Sequence, residues 1–169
     1  MDQIIEWVLG IMAKFGYLGI IFAMFAENVF PPIPSELIMP AAGFAAARGD
    51  LNILLVIVAG TFGSVVGAMP LYYLGTLFNK ERLMAFTKKY GKYVFVRPED
   101  VLSSDAWFDK HGKKAVFFGR MVPGIRSLIS IPAGMNKMPL TVFLVLTTLG
   151  ASIWTTILTL AGFYLGKNY

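Results

Sequence analysis

The sequence predicts an all-α integral membrane protein. We expect two inverted repeats, each a re-entrant broken helical hairpin followed by a long transmembrane helix, with amphipathic interfacial helices beside them. Three observations predict this. Residues 51–79 and 138–166 are two runs of 29 residues without a charge, and a spanning helix needs roughly 20 apolar residues. The chain of 169 residues is 56% hydrophobic and only 15% charged, where soluble domains carry about 25% charged residues. Each long run is also preceded by two short apolar runs with a charged, proline-bearing break between them.

The elements follow in chain order. Ile4, Ile5, Val8, Ile11 and Met12 share one helical face, which predicts an interfacial helix. Asp2 and Glu6 precede any basic residue, so no secretory leader is expected and the N-terminus is read as retained. The uncharged runs 15–26 and 37–47 are too short to span as straight helices. Between them lies a break from Glu27 to Glu36 containing Pro31, Pro32 and Pro34. Proline lacks a backbone donor and cannot continue a helix. The long run 51–79 follows, with Gly60, Gly63 and Gly67 spaced for close helix packing.

The stretch 80–114 holds nine of the fifteen Lys and Arg residues. Pro98, Glu99 and Asp100 predict a helix start, and Lys110, His111 and Gly112 its stop. A shorter helix before it is expected to end at Gly91. Runs 115–119 and 127–136 then flank a second break from Arg120 to Arg126, with Pro123 and Gly124 marking a turn. The domain expectation is a single membrane domain over 1–169. It divides into a first repeat (1–79), a basic amphipathic connector (80–114) and a second repeat (115–169).

A shift of 91 positions supports the repeat. It lays Pro32 on Pro123, Ala42-Gly43 on Ala133-Gly134, and Tyr73-Leu74-Gly75 on Tyr164-Leu165-Gly166. Paired broken segments in two halves point to a transporter's substrate site. Non-helical backbone at membrane depth must face protein or a wet cavity. Pro32, Pro34, Pro123 and Gly124 are therefore expected to shape that site. The positive-inside tendency puts 80–114 on the cytoplasmic side.

Four charged residues carry the chemistry. Glu27 and Glu36 abut uncharged runs, and an acid kept in the membrane is paired, protonated or functional. We expect them to couple transport to protons. Arg120 and Arg126 flank the second break, and guanidinium forks bind phosphate in bidentate fashion. We expect them to bind a substrate phosphate, though a carboxylate would also fit. Lys137 is expected to reach the interface. The chain has no cysteine and one histidine, His111, which removes thiol chemistry, Cys-ligated zinc, His-pair metal sites and most His-based catalysis; no catalytic residue, metal or cofactor is expected. The net charge of +5 is concentrated in the connector, which fits a basic juxtamembrane loop and no nucleic-acid partner.

These residues bear a family resemblance. Glu27-Asn28 with Pro32, Pro34 and Glu36, then 119–126 (GRMVPGIR), then 131–134 (IPAG), resemble the DedA family of bacterial membrane proteins, related to VTT-domain lipid scramblases. The resemblance covers nearly the whole chain. It implies two facing re-entrant hairpins and a proton- or ion-linked lipid carrier in the bacterial cytoplasmic membrane, crossing it several times. It further implies undecaprenyl phosphate as the cargo. The family's essential acids map onto Glu27 and Glu36, and its arginines onto Arg120 and Arg126. The segment between the two acids is shorter here than in some members.

The functional expectation is a flippase for undecaprenyl or another polyprenyl phosphate, with the bilayer and an anionic lipid as partners and room for a homo-oligomer. The alternatives are general phospholipid scrambling or proton- or ion-coupled small-solute transport. A membrane lipid (pyro)phosphatase ranks below these. Residues 123–127 only partly match one phosphatase signature, and Lys113 with Arg120 match another whose two histidines are missing.

Overall fold

The computed structural model describes residues 10–30, 35–77, 80–94 and 97–168. Ile4, Ile5 and Val8 of the expected first helix lie outside the described residues, as do Pro32 and Pro34. A helical stretch over 10–15 turns at Gly16 into α1 (Tyr17–Val29). It is followed by α2 (Ser35–Ala47), α3 (Ile53–Leu77), α4 (Lys80–Val94) and α5 (Pro98–His111). Then come α6 (Lys113–Gly119), α7 (Ser130–Met135) and α8 (Leu140–Lys167). No strand occurs among the described residues.

α3 and α8, of 25 and 28 residues, are the two helices long and apolar enough to cross a membrane. At about 1.5 Å per residue each exceeds a hydrocarbon core of roughly 30 Å. Their faces reverse the pattern of a soluble helix. Leu54, Val58 and Phe62 of α3 are exposed, as are Val145, Leu149, Ile153 and Ile157 of α8. Each stripe recurs at every fourth residue. The buried positions are instead small or hydroxylated: Gly60, Gly63, Ser64 and Gly67 on α3, and Thr147, Gly150, Ala151, Thr155 and Thr159 on α8. Lipid contributes no hydrophobic drive between helices, so small residues and hydroxyls make the contact. Thr61 and Thr155 share a hydrogen bond of 2.9 Å. Tyr72 stacks on Phe143 with ring centroids 4.6 Å apart. The two pairs fix α3 and α8 as antiparallel.

The shorter helices dock where side chains vanish. A Cβ added at Gly67 would lie 2.9 Å from the Asn28 Cβ, and one at Gly63 would strike the Ile21 carbonyl, so α1 packs directly on the glycine stripe of α3. The Tyr17 hydroxyl accepts from the Asn52 N–H at 2.8 Å, which sets the start of α1 beside the start of α3. Asn52 caps α3 through Oδ1, accepting from the Leu54 N–H at 2.9 Å. α2 packs instead on α8, where Gly43 meets the Thr159 carbonyl and Gly162 meets Pro40. α7 packs the other way, onto α3: Gly134 meets the Tyr72 carbonyl and Gly75 meets Ile131.

The first break is shorter than the sequence suggests. α1 continues through Glu27 and Asn28 to Val29, and the Phe30 N–H still bonds the Ala26 carbonyl at 2.7 Å. Only the residue directly before a proline is pushed to extended backbone, and Phe30 has φ −124° and ψ 90°. In the connector, α4 runs past Gly91 to Val94 rather than ending there, because a glycine stops a helix only where the backbone turns left-handed. That condition is met at Gly112, where φ +57° ends α5 after His111 as expected. α5 begins at Pro98, with the Asp100 carboxylate accepting from the Arg97 N–H at 3.1 Å.

Candidate anion site between the helix ends

The end of α1 meets the turn that follows α6. Glu27 and Asn28 stand in the last turn of α1 and are 4% and 1% exposed. Arg120 directly follows α6 and is 2% exposed, and Arg126 is 6% exposed. Between them the chain bends at Gly124, whose φ of +83° favours glycine. Pro123 and Gly124 are themselves exposed and shape the turn from outside the cluster.

Arg126 pairs with Glu27 through Nη2 and Oε1. Arg120 spreads its fork over four acceptors. Nη1 donates to the Arg126 carbonyl at 2.7 Å and to Asn28 Oδ1 at 3.3 Å. Nη2 donates to Ser130 Oγ at 2.7 Å and to Thr147 Oγ1 at 3.4 Å. Its guanidinium also lies 5.7 Å from the Phe143 ring centroid. Asn28 in turn donates to the Met24 carbonyl at 3.0 Å and to Ser64 Oγ at 3.3 Å. Ser64 lies eleven residues into α3, roughly 16 Å along a helix rising about 1.5 Å per residue, so the cluster sits near the middle of that helix.

The charges do not cancel. Among the described residues no carboxylate lies within ion-pair distance of Arg120, whereas Arg126 has Glu27. The cluster of Glu27, Arg120 and Arg126 therefore carries a formal charge of +1 with all three ionised. Arg120 Nε and Glu27 Oε2 are buried without a hydrogen-bond partner, and Arg126 Nη2 has only its ion pair with Glu27. A buried surplus cation at this depth costs several kcal/mol unless an anion joins it.

Three of the four charged residues singled out from the sequence thus come together. Glu36 does not join them. It is exposed at the start of α2, and no ion pair forms on it among the described residues. Sequence reasoning missed Asn28 as a site residue, and with it Ser64, Ser130 and Thr147. The signals for Asn28 are its place next to Glu27 and its share in the stretch that carries the family resemblance. Lys137 is exposed beyond α7, and His111 sits at the end of α5, its Nδ1 2.9 Å from the Trp107 carbonyl oxygen. Among the described residues no group of His, Asp and Glu is arranged to hold a metal ion.

Residues 33–164 match the model of the VTT domain. The "Undecaprenyl phosphate transporter A" of Staphylococcus aureus is 37% identical over 169 residues, which is 100% of this chain and 82% of that protein. The protein of the same name in Bacillus subtilis is 31% identical over 169 residues, again 100% of this chain and 81% of the relative. An "Alkaline phosphatase-like protein" of Lactococcus lactis is 46% identical over 165 residues, covering 97% of this chain and 77% of its own length. No solved structure matches.

Proposed function

The chain belongs to the VTT-domain (DedA) family of membrane proteins, and on that premise we propose that it is a transporter carrying the phosphate headgroup of a polyprenyl lipid, undecaprenyl phosphate, across the bacterial cytoplasmic membrane. One observation carries this reading: Arg120 is buried beside the middle of α3 with no carboxylate partner among the described residues, leaving the cluster one positive charge in excess. A phosphate monoester supplies that charge. Its oxygens suit the guanidinium fork of Arg126 and the spare Arg120 N–H. The lipid tail stays in the bilayer, so only a small headgroup crosses. The names of the two transporter relatives agree with this substrate class.

The contacts also support two re-entrant hairpins related as inverted repeats. α2 reaches across to α8 through Gly43, and α7 reaches across to α3 through Gly134, positions that coincide under the shift of 91. α1 enters from the end where α3 begins, and the tip after α6 meets it at Asn28 and Glu27. In this reading 1–79 and 115–169 are the repeats, 80–114 is a cytoplasmic connector, and the fold is multi-pass.

Proton coupling runs through Glu27. An arriving phosphate competes for Arg126. The displaced glutamate is left at low dielectric without its cation, where the neutral acid is favoured, and it takes up a proton. Release of the phosphate restores the pair and frees the proton, so proton and lipid are linked reciprocally. Glu36, exposed at the α2 start, is the proposed relay between Glu27 and the aqueous side.

The name of the Lactococcus relative favours a second reading, phosphoryl chemistry. A hydroxyl nucleophile needs an adjacent base. Ser130 and Thr147, the hydroxyls at Arg120, accept from the guanidinium and have no carboxylate or imidazole among their hydrogen-bond partners in the described structure. Transport is therefore the better reading. The test is headgroup translocation in proteoliposomes with a polyprenyl phosphate, phosphate release being followed in parallel. Translocation without release is the expected result. Release of phosphate without translocation would give the enzyme reading instead.

A further inference from the structure

Asn28 contacts Arg120 in a way that does more than fill space. A carbonyl only accepts, so the Asn28 Nδ2 must face the Met24 carbonyl, 3.0 Å away. Its other bond, to Ser64 Oγ at 3.3 Å, uses the same nitrogen. Oδ1 is then left for Arg120 Nη1, which only donates, at 3.3 Å. The amide is thus locked with its oxygen on the guanidinium. Its neighbour Glu27 holds the other arginine. Two consecutive residues on one helix turn therefore engage two arginines, one with a charge and one without.

An aspartate at position 28 would have the same size and would present an oxygen at the same place. It would also complete a second ion pair and bring the four-residue cluster to neutrality. Asparagine keeps the geometry and leaves the charge. We propose that Asn28 is the residue that sets the charge of the site: it positions Arg120 through a neutral oxygen and so reserves one positive charge for a phosphate monoester. This rests on the phosphate-carrier reading above. With Glu27 ionised the cluster balances a singly charged phosphate, and with Glu27 protonated it balances a doubly charged one. Neutral and zwitterionic headgroups balance neither state, so the same amide disfavours them.

The experiment measures binding to the purified full chain in detergent by calorimetry, with farnesyl phosphate, inorganic phosphate and farnesol as probes. Wild type should bind farnesyl phosphate and not farnesol. Asn28→Asp should weaken farnesyl phosphate at least about tenfold. The double variant Glu27→Gln/Asn28→Asp restores the charge sum and should return to within about threefold of wild type. Mere damage to packing would not be repaired by removing a charge from the neighbouring residue. Thr147→Asp puts a carboxylate on the same guanidinium from α8 and should weaken binding like Asn28→Asp, which keeps the test open if position 28 does not tolerate aspartate. Equal affinity for inorganic phosphate would make free phosphate the ligand and uphold the role of Asn28. Folded Asn28→Asp or Thr147→Asp protein with wild-type affinity would overturn the charge-setting role and leave the carrier reading standing. Wild type that binds neither phosphate probe would overturn the carrier reading itself, and this inference with it.

Discussion

Arg120 donates to the Asn28 side chain at 3.3 Å across 92 residues of chain, and this bond joins the end of α1 to the turn after α6. One residue earlier on α1, Glu27 takes Arg126. The two contacts behave differently when charge changes.

Glu27→Gln removes the exchangeable charge and keeps the side-chain size. The expected outcome is folded protein that still binds lipid phosphate but whose initial translocation rate no longer responds to pH. Glu36→Gln should slow transport while leaving binding unchanged. The measurement is translocation rate against pH in proteoliposomes for each variant separately. Wild-type pH profiles in both would rule out proton coupling through these residues.

Arg126→Ala should weaken lipid phosphate binding by about 10- to 100-fold, the range for a lost charge-assisted hydrogen-bonding partner. Arg126→Lys should recover only part of that loss, since an ammonium is a point charge and not a fork. Titration of farnesyl phosphate against the purified variants decides this.

Much of this architecture is legible in the sequence, and what is not has a physical cause. Lipid tolerates almost no charge, so runs 51–79 and 138–166 delimit α3 and α8 to within about two residues at each end. Charges in apolar surroundings are conspicuous for the same reason, which is how Glu27, Arg120 and Arg126 are found. Asn28, Ser64, Ser130 and Thr147 carry no such signal. Uncharged polar residues are ordinary in membrane helices, and only the packing of α1, α3, α7 and α8 decides which of them face a guanidinium. Position beside an apolar run also says nothing about direction. Glu36 has the same flanking pattern as Glu27, yet it faces outward because α2 turns its Ser35, Ile38 and Met39 side inward.

Arg120→Met removes a fork that satisfies Asn28, Ser130, Thr147 and the Arg126 carbonyl together. Each stranded buried group costs about 1–3 kcal/mol, offset in part by relieving the surplus buried charge. The expected result is a net loss of about 2 kcal/mol, larger than that in Arg126→Ala, visible as a lower midpoint of thermal unfolding in detergent.

Gly43→Val and Gly134→Val test the crossing contacts. Either side chain would strike backbone, the Thr159 carbonyl in the first case and the Tyr72 carbonyl in the second. A loss of about 1–3 kcal/mol is expected for each, against a change under about 0.5 kcal/mol for the exposed Val145→Leu control.

The connector predicts topology. A cysteine at the exposed Ser103 in α5 should resist impermeant thiol reagents in intact cells and react after permeabilisation. Ready labelling from outside would invert the assignment.

The reach of α2 to α8 and of α7 to α3 also has a consequence for biogenesis. A ribosome delivers α1 to α3 first, and at that moment Gly75 and Tyr72 have no α7 against them, Thr61 has no Thr155, and α2 has no α8. The early helices must wait, unsealed, for the late ones. A chain severed between α4 and α5 should therefore yield two fragments that are each degraded when made alone. Made together in one cell they should find one another and restore the protein, because the joints of α2 with α8 and of α3 with α7 and α8 all run between the fragments.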